Sequence, residues 1–154
     1  MKAILFIIIF LTLAGIADSG YALNQHYSTA ETSACDFNAT VSCTAVNQSK
    51  YSEFLGIPVA GLGLAGYAAM GGMAGFLLAG KGPRFLLHTS LIAFALIALG
   101  VSLALTYIEV FVIEAVCPLC VISLLLVAVI TVFAIAAAVI EGRRAESAVD
   151  AAAP

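Results

Sequence analysis

Four long, nearly uninterrupted apolar stretches constrain this chain more than any other feature. They run from Ala3 to about Leu23, from Ile57 to Gly80, from Phe85 to about Ile108, and from Cys117 to Ile140. The third can be extended toward Val116 only past Glu109 and Glu114. Each is long enough for a helix to cross a bilayer, which takes about 20 residues. The runs are continuous and rich in Leu, Ala and Ile rather than alternating, so membrane strands are disfavoured. Hydrophobic residues make up 63% of the 154 and charged residues 10%. A single small globule cannot hide that much apolar surface. A soluble enzyme, a disordered tail and a nucleic-acid binder are excluded, and the net charge of -3 offers polyanions nothing. The fold class expected is an all-α membrane protein, a four-transmembrane-helix bundle.

The cations orient the bundle. Lys2, Lys81, Arg84, Arg143 and Arg144 all fall on one side of four spans, and Lys50 on the other. Under the positive-inside rule the first side is cytoplasmic. The polar segment from about Asn24 to Gly56, and the start of the fourth span, then lie outside. Lys2, an apolar core and Gly20-Tyr21-Ala22 also fit a cleavable signal peptide. Asp18 would cost roughly 2.5–3.5 kcal/mol at mid-membrane, which sets it near the outer interface. Residues 141–154 read as a polar, frayed cytoplasmic tail. Gly71 and Gly75 have small-xxx-small spacing, which points to close packing within one bundle rather than to dimerisation.

The four cysteines, Cys35, Cys43, Cys117 and Cys120, all fall on the outer side, where disulfides persist. Cys117-Pro118-Leu119-Cys120 is a C-x-x-C at the start of the fourth span. Cysteines three apart on a helix can be bridged. Pro118 suits a first helical turn, and a helix N-terminus favours a reactive thiolate. Cys35 and Cys43 flank seven residues of a polar loop, a cheap loop to close and one able to carry a cysteine between partners. Three readings stand: a redox relay, two static structural disulfides, and a four-thiolate zinc site, which the seven-residue gap fits worst.

The pattern resembles the vitamin K epoxide reductase family in its bacterial-type form. The matching pieces are Ser19 and Tyr21, Cys35-Asp36 through Ser42-Cys43, the run from Ser49 to Pro58, Gly63 and Tyr67, Tyr107-Ile108-Glu109, and Cys117 to Cys120. The resemblance reaches to about Ile140 and implies that the first span is retained. It implies a membrane thiol-disulfide oxidoreductase that takes electrons from a separate thioredoxin-like protein on the outer side. Cys35 would accept them. Cys43 would resolve the mixed disulfide and pass them to Cys117. Cys120 would stand beside a membrane quinone: ubiquinone, menaquinone or phylloquinone. The net effect would be disulfide formation outside the cytoplasm of a prokaryote, across its plasma membrane. In an endoplasmic reticulum membrane the same residues would suit reduction of vitamin K epoxide.

Ser49 is expected near Cys117 and Cys120, either as a donor to a quinone oxygen or thiolate or as the cap of a short helix over residues 50–55. That interfacial helix would dip Tyr51, Phe54 and Leu55 toward the bundle, making Phe54 a candidate quinone contact. Glu114 reads as a solvated interfacial carboxylate more than a tuner of Cys117, and Glu109 has no chemical role in this reading. His26 lacks an evident partner, and His88 reads as packing. Asn38-Ala39-Thr40 and Asn47-Gln48-Ser49 are glycosylation sequons, relevant only in a eukaryotic lumen. Rival readings are the other bacterial quinone-linked disulfide oxidase, whose C-x-x-C lies in its first outer loop, a non-catalytic membrane protein, and a thiol-based metal carrier.

Overall fold

The computed structural model describes residues 1–28, 35–38 and 40–152. Ala39 of the first sequon and the last two residues of the tail lie outside them. Four long helices dominate: α1 (Lys2–Tyr27), α3 (Val59–Leu78), α4 (Arg84–Ile108) and α5 (Pro118–Ala152), with a short α2 (Cys43–Asn47) between the first two. A π-helical turn, Glu109–Ile113, prolongs α4. All four long helices are long and apolar enough to cross a membrane. They close a ring in which α1 packs on α3, α3 on α4, α4 on α5 and α5 back on α1. The protein is an all-α, multi-pass membrane protein.

Its core is a central apolar column that includes Ile8, Met70, Leu91 and Ile130. Phe10, Phe76, Ile97, Leu125 and Val132 point outward and stay exposed. A helix that is apolar all round has a lipid for a neighbour on its outer face.

The tightest seam joins α1 and α3. A Cβ on Gly15 would overlap the ring of Tyr67. One on Gly63 would stand 3.0 Å from Ser19 Oγ, and one on Gly71 2.8 Å from Thr12 Oγ1. Positions 63, 67 and 71 form one i, i+4 row, so backbones approach where side chains are smallest. Gly71 therefore packs as its spacing implies, whereas Gly75 faces open space. The α3–α4 turn ends α3 in a Schellman motif. Lys81 N–H donates to Phe76 O at 3.0 Å and Gly80 N–H to Leu77 O at 3.2 Å, with Gly80 at φ +67°.

Two local expectations fail. The short helix of the loop is α2, not residues 50–55. Glu53–Phe54 and Ile57–Pro58 instead pair as an antiparallel hairpin. Leu55 and Gly56 both take positive φ at its tip (54° and 78°), the geometry of a two-residue type I′ turn. Pro58 holds the residue before it in extended backbone, so a helix could not run on into it. The tail also differs from the frayed segment expected: α5 continues to Ala152. Residues 141–152 are mostly Ala, Glu and Arg, good helix formers. A helix that already exists needs no new nucleus to extend. Arg84 of α4 also pairs with Glu141 at the exit of the bundle.

Candidate active site

The cysteines meet at one end of the bundle, opposite the end where Lys2, Arg84 and Arg144 gather. Cys35 and Cys43 form a disulfide, and Cys117 and Cys120 are thiols. Cys43 and Cys117 are fully buried in one apolar cluster with Val46 and Ala115, and Cys35 and Cys120 pack against it. Two hydrogen bonds set this register. Val116 N–H donates to Thr40 O at 2.8 Å, and Ser42 N–H donates to Val116 O at 3.2 Å. The residue before Cys117 is thus clamped beside the residue before Cys43.

Asp36 organises the loop from within. Its Oδ1 accepts from Ser42 Oγ at 2.8 Å and from Thr44 N–H at 3.0 Å, and Thr44 Oγ1 donates to Oδ2. Ser42 caps α2 by accepting from Ala45 N–H at 3.1 Å. Asp36 and Ser42, each adjacent to a cysteine of the outer pair, therefore hold Cys43 at the start of a helix.

On the other side, Pro118 occupies the first turn of α5, as its ring and missing N–H favour. Cys117 precedes it, and its N–H donates to Glu109 Oε2 at 3.0 Å. Glu109 is only 2% exposed, and it lines the same cavity as Cys120. The π turn explains its position, since a widened turn redirects side chains at the end of a helix. Glu114 closes that turn at φ 57° and is exposed, consistent with a solvated carboxylate. A non-glycine residue there holds uncommon backbone.

Cys120 lines a cavity of about 1010 Å³. The walls come from all four long helices. Ser49, Tyr51 and Asn47 lie at the cysteine end, and Tyr67 and Ser123 lie deeper. Tyr67 OH donates to Ser123 O at 3.0 Å and lies 2.8 Å from Ser123 Oγ. Leu62 of α3 and Ile97 and Val101 of α4 line the cavity and are also exposed on the outside. The cavity thus opens sideways between α3 and α4, toward lipid.

Ser49 shares this wall with Cys120, but it caps no helix: its Oγ accepts from Tyr51 N–H at 3.3 Å inside a turn. Phe54 also lines the cavity, and on the hairpin it is 64% exposed rather than dipping into the bundle from a helix. His26 is not partnerless. Nδ1 meets Asn47 O at 2.8 Å and Nε2 meets Glu53 Oε1 at 3.2 Å, tying α1 to α2 and the hairpin. His88 is buried at the opposite end, with Nδ1 making no hydrogen bond among the described residues.

Sequence reasoning missed two residues here. Asn47 Nδ2 and Glu109 Oε1 are buried without a hydrogen-bond partner among the described residues, and both side chains belong to the cavity wall. Such groups are few in a folded protein. For Glu109 the signal was there, a carboxylate inside an apolar run. For Asn47 there was none.

A dithiol at the wall of an apolar cavity, with a disulfide packed against it, is an arrangement suited to thiol chemistry. The chain matches the vitamin K epoxide reductase family model over residues 6–135. It belongs to the vitamin K epoxide reductase family. No curated protein matches it. Membership makes this chain a membrane oxidoreductase, and its cysteines support thiol chemistry.

Proposed function

We propose that this family member relays electrons from a thioredoxin-like dithiol to a membrane quinone, with its cysteine end outside the cytoplasm. The observation that carries the proposal is the single buried cluster joining both cysteine pairs, with Cys120 on the wall of a cavity open to lipid.

The partner's thiolate attacks Cys35 and frees Cys43 as a thiolate. Cys43 attacks the Cys117–Cys120 disulfide at Cys117, and Cys120 leaves. Cys35, released from the partner as the partner's own disulfide closes, then attacks Cys43 and frees Cys117. The outer disulfide is restored and both electrons rest on Cys117 and Cys120. Attack geometry and leaving-group acidity set each rate.

The cavity fits a quinone. It is apolar, open to lipid and large enough for a ring, and Asn47 Nδ2 is a buried donor without a hydrogen-bond partner among the described residues. A bound quinone supplies a two-electron, two-proton acceptor. Asn47 and Ser49 would hold its oxygens, and Tyr51 with the hairpin would limit water at the cysteine end.

Anaerobic quinone reduction with a reduced thioredoxin-like donor tests the proposal. Wild type should turn over, and Cys43→Ala should lose turnover while keeping its fold. No reduction by wild type with any dithiol, with both cysteine pairs staying oxidised, would leave the disulfides structural.

A further inference from the structure

Glu109 is the group whose position the relay leaves unexplained. A carboxyl group 98% removed from solvent is costly unless it is bonded at both oxygens. Only Oε2 is bonded here, to the backbone N–H of Cys117. Oε1 is buried and unbonded among the described residues, on a residue that lines the cavity together with Cys120. No cation offsets it: among the described residues the ion pairs are His26–Glu53 and Arg84–Glu141. Its charge is offset by the N-terminal dipole of α5, at the turn that contains both thiols.

We propose that Glu109 is the base that takes the proton of the Cys120 thiol. In this step the S–H bond of Cys120 breaks and an O–H bond forms on Glu109. The negative charge moves from carboxylate to sulfur, and no electrons change hands. The sulfur then becomes the nucleophile that the cavity side of the relay requires, since the thiolate and not the thiol reacts. Given the relay above, closure of the Cys117–Cys120 disulfide would pass two electrons to a bound quinone, with Glu109 giving up its proton and the Cys117 thiol supplying the second. The bond to Cys117 N–H fixes the carboxyl group where it can serve Cys120, and the π turn delivers it there.

The test needs no quinone. Fully reduced protein in detergent is alkylated with N-ethylmaleimide across pH, and labelling of Cys120 is read by peptide mass spectrometry. In wild type the rate should level off once Glu109 is ionised. In Glu109→Gln, which still accepts from Cys117 N–H, it should climb about tenfold per pH unit without a plateau. Glu109→Asp should restore the plateau. The other ionisable groups facing this site are Cys117, just before α5, and, along the cavity, Asp18, His26, Lys50, Tyr51, Glu53 and Tyr67. Cys43 on α2, bonded to Cys35 in the structure, becomes a further thiol beside this site once the protein is reduced, and its labelling is read separately. Asp18→Asn should keep the plateau. A plateau that survives in Glu109→Gln overturns the proposal and leaves Glu109 a positioning residue. A plateau lost in Glu109→Gln supports the base even if wild type reduces no quinone, which would fail the relay's last step alone.

Discussion

Asn47 shows what one buried amide can do in this cavity. Its backbone carbonyl is committed to His26 at 2.8 Å, while its side-chain Nδ2 is buried and makes no hydrogen bond among the described residues. Removing an unbonded buried donor loses no internal hydrogen bond. Asn47→Leu should therefore hold or raise the unfolding temperature in detergent. If Nδ2 donates to a quinone oxygen, the same change removes a hydrogen bond worth about 0.5–1.5 kcal/mol, and KM for quinone should rise about threefold to tenfold with kcat less affected. An unchanged KM would remove Asn47 from the quinone site. Glu109 and Asn47 differ in how readable they were. A charge inside an apolar run is conspicuous by cost alone, but its role depends on a π turn that no residue pattern announced. Asn47 sits in a polar loop where any amide is ordinary, and only burial by α2 and His26 makes it exceptional.

At the scale of elements, the four long helices were legible because lipid imposes one requirement over some 20 residues at a time. The loop was not, because its short elements are decided by single residues. Residues 50–55 could have begun a helix, but Gly56 and Pro58 favour a hairpin instead. The α1–α3 seam falls between these extremes. Glycine spacing on α3 was visible, yet the contact that matters most involves Gly15 of α1, directly against the Tyr67 ring. Overpacking of this kind costs about 1–3 kcal/mol. Gly15→Val should lower the unfolding temperature by that equivalent and should displace Tyr67 from Ser123. Gly75→Ala, where a Cβ meets nothing within 4 Å, should leave stability unchanged or slightly raised, since alanine favours the helix. Equal losses in the two variants would mean that the seam is not where the helices make their closest contact.

Across the whole molecule, a cluster of cations and the thiol chemistry lie at opposite ends. Lys2, Arg84 and Arg144 border one pocket at one end, and both cysteine pairs lie at the other. The relay requires the cysteine end to meet an oxidisable partner outside the cytoplasm, and the cation count argues for the same orientation by an independent physical route. The two arguments can fail separately, so orientation is worth measuring directly. In a variant with Cys35, Cys43, Cys117 and Cys120 replaced by Ser, Lys50→Cys and Lys81→Cys report the two ends, because both positions are exposed. A membrane-impermeant maleimide added to intact cells should label Lys50→Cys and spare Lys81→Cys until the membrane is opened. The reverse pattern would put the cysteine pairs in a reducing compartment, where the outer disulfide would be hard to maintain. The thiol chemistry of the family would then have to run with a cytoplasmic partner, and the disulfide-forming direction of the relay would no longer hold.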